Sequence, residues 1–388
     1  MSTDASVSRF RNLSILGFRR LKEAVLDLRP LTVMIGANGS GKTSVLDVLS
    51  LLANSAQGKL KASISDLSGL PSVLTYDRAN TLDLAITMKV SDQDDLQYFL
   101  RLRPQGQGYD IEDESLTGLR PTQAPLTYIR SRSSVISEYY DADQGRMIRP
   151  NWEYVPFETS LSQAPKMYRV PEDFRRRLAS STFYHVLNVD PRSPVRLPQP
   201  MQPAMLPGRN GEELVSCLFN LRETERNRFE AIEDVLRAAF PAFDRLDFPP
   251  VAAGTLALAW REKGFSKPLY MHQLSEGTLR FLWLATLLAS PGLTALTLLD
   301  EPEVSLHPEL LNLLTDLFRE ASRRTQLVVA THSDRLIRFL KPEEVVVIDS
   351  DEDGMSTLTW ADSLDLDEWL KDYSLDELWS NGRIGARP

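Results

Sequence analysis

The sequence predicts an α/β fold built on a phosphate-binding loop, with a mixed central sheet, an antiparallel β subdomain and a compact helical insertion. Three observations carry that prediction. Gly36-Ala37-Asn38-Gly39-Ser40-Gly41-Lys42-Thr43 fits the P-loop pattern G-x-x-x-x-G-K-[ST], between an alternating apolar segment and a helix-spaced one. Strand patterns without intervening helices fill residues 82–157. From residue 294 onward, strands alternate with helices, which implies a parallel sheet covered on both faces.

The 388 residues suffice for one large or two medium domains with a substantial core. We read a single head. Residues 1–170 form a P-loop lobe with its β subdomain, 171–250 a compact insertion, 251–350 a second lobe and 351–388 an acidic tail. Net charge is −9, so there is no global basic field to grip nucleic acid. Local basic clusters stand at Arg19-Arg20, Arg130 with Arg132, Arg175-Arg176-Arg177 and Arg323-Arg324; such clusters are commonly solvated faces. The most apolar stretch, Leu279 to Ala289, is too short to span a membrane, and Met1 to Arg11 lacks a signal peptide's apolar core. One cysteine, Cys217, forms no internal disulfide, which fits a reducing, cytoplasmic setting.

Along the chain, Phe10 to Leu16 and Glu23 to Leu28 read as strands with a turn near Gly17. Leu31, Val33 and Ile35 form the strand feeding the P-loop, and Val45, Leu46, Leu49 and Leu52 the helix after it. Asn54 to Gly69 is polar and reads as loop. Strands follow at Leu82 to Val90, Leu96 to Arg103, Leu126 to Ile129 and Trp152 to Phe157. A helix opens at Pro171-Glu172-Asp173. Tyr184 to Val189 is a candidate strand, and prolines 191, 194, 198, 200, 203 and 207 mark an extended segment. Glu212 to Phe240 is helical, with Phe229, Ile232, Leu236 and Phe240 on one face and no heptads for a long coiled-coil arm. Then come a strand at Leu256 to Trp260, a helix from Thr278 to Ala289 and a strand from Thr294 to Leu299. A helix from Pro308 follows, and strands Gln326 to Ala330 and Val345 to Ile348 flank a short helix at Asp334 to Leu340.

The chemistry starts at the P-loop. Its glycines let successive backbone N–H groups and the positive helix end face an anion. This assigns Gly36, Asn38, Gly39, Ser40, Gly41 and Ser44 to phosphate binding, Lys42 to the β- and γ-phosphates, and the Thr43 hydroxyl to Mg²⁺. A P-loop also needs a carboxylate at the end of a second buried strand. Leu296 to Glu301 supplies Asp300 for the magnesium shell and Glu301 to position or deprotonate water. Leu274-Ser275-Glu276-Gly277-Thr278 opens a helix and offers a second anion site. His332, after the strand ending Ala330-Thr331, can hydrogen-bond the γ-phosphate or the attacking water. The four histidines, 185, 272, 307 and 332, lack metal-ligand spacing.

The order P-loop, Leu-Ser-Glu-Gly-Thr, Leu-Leu-Asp-Glu-Pro, Ala-Thr-His-Ser resembles the ABC-type ATPase heads, and within them the RecF/SMC-like group. Phe18-Arg19 ahead of the P-loop and Ser305-Leu306-His307-Pro308 in the D-loop position extend the resemblance. It implies ATP and Mg²⁺ as cofactors and a homodimer in which each ATP lies between one P-loop and the partner copy's signature residues, here Ser275 and Gly277. It also implies Arg19 near the nucleotide, Ser305 to His307 at the interface, and a Q-loop glutamine on the metal, for which Gln163 is chosen over Gln123. Glu276 departs from the glycine of many relatives. The SMC-type arm is missing. The chain is similar to stand-alone bacterial ATPases of phage-defence and abortive-infection systems, which resemble the ATPase half of the overcoming-lysogenization-defect nucleases. Those carry a Toprim domain after the ATPase; only about forty residues follow the last strand here, too few for a typical domain. Nuclease or toxin activity is therefore expected from another chain.

Two functions compete. One is an ATP-gated switch acting on a separate effector protein, a nuclease or toxin, in defence or a toxin-antitoxin setting. The other is a RecF-like clamp that closes on DNA, which needs Arg130, Arg132 and Arg175 to Arg177 on one basic face. A transporter subunit is disfavoured by the insertion. The tail, with Leu366, Trp369, Leu370, Tyr373, Leu375, Leu378 and Trp379 among acids, suits either docking onto a partner or folding back on the head.

Overall fold

The computed structural model describes residues 8–385 except 91–93, 107, 121–122, 134–135, 152, 365, 367–368 and 370–372. Trp152 and Leu370 thus lie outside the described residues. A six-stranded sheet runs in the order Thr182–Tyr184, Leu296–Asp300, Gln326–Ala330, Leu31–Ile35, Val345–Ser350, Ser356–Trp360. All neighbours are parallel except the last pair, which is antiparallel. Leu31–Ile35 and Gln326–Ala330 are buried at every position, as continuous apolar strands in a sheet covered on both faces must be.

Alternate residues of these strands feed two cores. Met34, Leu296, Leu298, Val328 and Val346 face the P-loop helix, Lys42–Ala56, and the β subdomain. Val33, Ile35, Leu299, Val329 and Val347 face helices Leu214–Thr224, Glu276–Ala289 and Leu310–Ser322. The β subdomain is an eight-stranded antiparallel sheet whose order begins Leu21–Asp27, Arg9–Phe18, Leu82–Lys89, Asp95–Gln105. Leu82, Leu84, Ile86 and Met88 alternate inward along one of its strands.

Several expectations change. The hairpin between the first two strands turns at Arg19-Arg20 rather than Gly17, with Arg19 at φ 50°. Residues 54–69 are mostly helical: the P-loop helix runs to Ala56, and Leu60–Asp66 forms another helix because Leu60 and Ile64, one turn apart, are both buried. The described residues of 152–157 form no strand. Strands Gly108–Leu119, Ile136–Asp141 and Arg146–Ile148 were hidden by acids and short length. Among those acids, Glu114 is fully buried. It accepts hydrogen bonds from Tyr98 Oη (3.0 Å), Ser160 N (2.7 Å) and Leu161 N (2.8 Å), and its burial raises its pKa.

The 212–240 helix is two, Leu214–Thr224 and Arg226–Ala239. The break is at Glu225 (φ −133°, ψ 53°), inside a polar run that offers no apolar face to hold a continuous rod. Leu256 and Ala259-Trp260 belong to two different small sheets. The candidate strand at 184–189 is Thr182–Tyr184 instead. The tail folds back: Leu366, Leu375, Leu378, Trp379 and Ile384 are buried in the same core as Val345 and Val347, while Trp369 and Tyr373 stay exposed.

Candidate functional site at the C-terminal edge of the central sheet

Strand register gathers the site. Asp300 pairs with Ala330, and Ala330 with Met34, so Asp300-Glu301, Thr331-His332 and the P-loop emerge side by side. In open α/β sheets, the crevice beyond the carboxyl ends of the strands is where ligands bind.

The P-loop has no space for side chains at two glycines. A methyl group on Gly36 would overlap the Ile348 carbonyl oxygen, and one on Gly41 (φ 115°) would sit 2.7 Å from Ser356 Oγ. Ser356 Oγ donates to the Ser40 carbonyl (2.5 Å), so the antiparallel last strand clips the loop in place. Lys42 is buried and its ammonium donates to the carbonyls of Gly36 (2.6 Å) and Ala37 (2.9 Å). Burial lowers its pKa, against the opposing pull of Glu301, Asp300 and Glu303. Arg19, Arg20, Asn38, Gly39, Gly41, Lys42, Thr43, Ser44 and Glu301 line an open depression of about 380 Å³. Arg19 is held over it by an ion pair with Asp47 (2.6 Å).

Glu301 takes the left-handed conformation at φ 47°, anchored by its N–H on the Ala330 carbonyl (2.9 Å). That backbone strain turns the chain sharply as it leaves the strand. Glu301 Oε1 lies 2.9 Å from His332 Nδ1, a hydrogen bond that orients both groups at the mouth of the site. Asp300 has its pKa raised by burial and by Glu301. Beneath them Glu303 is buried, accepts a short hydrogen bond from Thr331 Oγ1, and has a pKa raised by burial; its Oε2 has no partner. Two desolvated carboxylates beside a phosphate cradle fit a divalent cation held by the Thr43 hydroxyl, Asp300 and phosphate oxygens. No cage of three or more His, Cys, Asp or Glu side chains forms among the described residues, so such an ion would depend on the nucleotide for ligands.

Neither Ser275 nor Gly277 lines this depression. Ser275 caps Glu276–Ala289 by accepting from Thr278 N (3.1 Å), and it is exposed. A methyl on Gly277 would sit 2.7 Å from the Ser305 carbonyl, and Arg280 donates to Ser305 Oγ (2.5 Å) and the Val304 carbonyl (3.2 Å). Signature helix and D-loop are therefore one rigid unit.

Gln163 is not at the metal position. Its amide is consumed by the 155–159 loop, donating to the Val155, Glu158 and Thr159 carbonyls and accepting from Val155 N. Thr159 Oγ1 bonds the Ser55 carbonyl, twelve residues and roughly 18 Å along the P-loop helix from Thr43. Gln123 lies on an exposed loop beside Arg120. The residue that does reach Asp300 is His185. Phe183 pairs with Leu298 and shares its face of the sheet, so His185, two residues on, stands level with Asp300 on the P-loop-helix side. The imidazole packs on Phe183 (4.1 Å between centroids) and lines a crevice with Asp300, Glu301 and Arg280. Only strand pairing reveals it; the sequence signal was the short apolar run Thr182 to Tyr184 ending in a histidine.

A family model described as "AAA domain, putative AbiEii toxin, Type IV TA system" matches residues 31–338. No curated protein matches. Among solved structures, the fold is similar to an Smc head bound to the C-winged helix domain of ScpA (19% identity, TM-score 0.56, 90% of this chain and 97% of that one). It is also similar to a Pyrococcus furiosus Smc head with an extended coiled coil bound to the C-terminal domain of ScpA (16% identity, TM-score 0.55, 94% and 100%). At these identities the likeness shows the fold alone, that of an Smc head domain.

Proposed function

The chain belongs to this AAA-domain family, and from that premise we propose that it hydrolyses ATP in a head-to-tail pair of copies whose closing and opening control a separate effector protein. The observation that carries this reading is the separation just described. The depression around Lys42 holds half of an ABC-type site, and the exposed Ser275–Ser305 unit, none of whose signature residues lines that depression, is the other half. A second copy in head-to-tail arrangement would complete both sites.

In this reading Lys42 and the P-loop amides hold the phosphates, while Arg19 guards the opening. Glu301 positions the attacking water and accepts its proton, and His332 orients Glu301 through the 2.9 Å bond. Mg²⁺, when bound between Thr43, Asp300 and the nucleotide, supplies charge neutralisation on the phosphates. His185, which lines a crevice with Asp300, would be the residue to steady the ion's shell where a glutamine is absent. The defence or toxin-antitoxin setting follows from the family description and remains the functional context we assign.

The DNA-clamp alternative loses part of its basic face. Arg175 is paired with Glu172 (2.6 Å) and Arg176 with Asp173 (2.9 Å) on their own helix. Among the described residues no helix is long and apolar enough to cross a membrane.

Glu301→Gln tests the assignment. It should keep ATP binding, lose roughly 10²–10⁴-fold in turnover, and accumulate as a dimer in Mg-ATP by light scattering. Normal turnover in this variant would refute the role given to Glu301.

A further inference from the structure

On the opposite edge of the central sheet lies a cleft of about 630 Å³. One wall is the β subdomain (Met88, Val90, Leu96), another is the helix Arg169–Ala179, and the floor is Gly292 to Ala295 with Arg324. Three arginines line it, Arg176, Arg177 and Arg324, against one acid, Asp173. Asp173 is taken by Arg176 at 2.9 Å. Arg177 and Arg324 have no carboxylate partner among the described residues.

Their surroundings make that unusual. The Nε atoms of both are buried without a hydrogen-bond partner. Arg324 spends its other nitrogens on the Ser290 and Leu288 carbonyls (2.5 Å each), whereas the Arg177 side chain forms no hydrogen bond among the described residues. Burial, with Arg9 beside it, lowers the pKa of Arg177; burial, with Arg228 beside it, lowers that of Arg324 against the opposing pull of Glu320. Desolvating a cation without a counter-charge is costly, and this chain, at net −9, has acids to spare. The Arg177 guanidinium, which lines the cleft, matches the oxygens of a phosphate, Arg324 adds a second positive charge beside it, and the Met88, Val90, Leu96, Val170 and Leu293 side chains offer an apolar surface next to them.

We propose that this cleft is a second anion site, distinct from the P-loop, that takes a phosphate-bearing small molecule with an apolar portion, of about nucleotide size. The anion lies between Arg177 and Arg324, which supply the charge, and the apolar portion lies against the β subdomain. The cleft is lined by Ala295, just ahead of the strand that ends in Asp300, and by Arg324, two residues ahead of the strand that ends in Ala330. Its occupant therefore sits at the far end of the elements that carry the catalytic groups.

The probe is inorganic pyrophosphate, titrated calorimetrically into Lys42→Ala protein, in which the P-loop is disabled. Binding should persist in Lys42→Ala and weaken at least tenfold when Arg177→Gln is added, with the double variant melting no lower than the single one. Absence of binding to Lys42→Ala, or binding that Arg177→Gln leaves unchanged, overturns the proposal. Because the P-loop is silent throughout, this result is independent of whether the chain hydrolyses ATP.

Discussion

At the C-terminal edge of the central sheet, the buried cation Lys42 faces Asp300, Glu301 and Glu303. At the N-terminal edge of the same strands, Arg177 and Arg324 are half-buried and neither forms an ion pair among the described residues, Glu320 alone pulling on Arg324 from a distance. Both ends desolvate charge, yet only the first carries its own compensation. There, Lys42 is tethered by two carbonyls and held in an acidic field, so the phosphate cradle is stable before any ligand arrives. At the other end no carboxylate among the described residues pairs with either arginine. Where a protein leaves a buried charge unmatched, the missing partner is a ligand to look for.

Breaking the compensated end should have the largest effect. Lys42→Ala removes the only ammonium in the phosphate cradle and leaves its acids facing one another. Nucleotide affinity, followed by titration of a fluorescent ATP analogue, should fall by about 10²–10³-fold, the cost of removing one partner from a buried charge pair.

A smaller effect comes from Glu303. Its folded pKa is raised, so the folded state holds a proton that the unfolded chain has lost above the ordinary carboxylate range. Stability therefore falls as pH rises through that window toward the folded pKa. Glu303→Gln removes the loss, and its melting temperature relative to the parent should be about 2 °C more favourable at pH 8 than at pH 5. A pH-independent difference would mean that Glu303 is ionised in the fold. The smallest effect is at the uncompensated end. Arg177→Gln should raise the melting temperature of the ligand-free protein by about 1 °C, because a desolvated cation has gone.

What the sequence made legible follows the range of the signal. The P-loop, the Asp300-Glu301 pair, the Ser275 cap and His332 are each declared within a few residues by a strand or helix end, and the structure has them at such ends. Gln163 misled because polarity near a loop carries no direction, and its amide was needed to close that loop. His185 was invisible for the opposite reason: its place beside Asp300 is a property of pairing between strands more than a hundred residues apart. Glu114, an acid in the middle of a strand, hid Gly108–Leu119 because its hydrogen-bond partners Ser160 and Leu161 lie in a distant loop. The tail's fold-back likewise depended on a core that local pattern does not describe.

The shared ATP site is the central claim, and mixing two dead variants tests it most directly. Lys42→Ala keeps an intact signature, and Ser275→Arg keeps an intact P-loop. Each alone should show no ATP hydrolysis. Mixed one to one, they should recover about a quarter of the parent rate, since half the dimers are mixed and each of those contains one complete site. If the mixture stays inactive, or if Ser275→Arg alone hydrolyses ATP, each copy works without its partner's signature and the shared-site account is wrong.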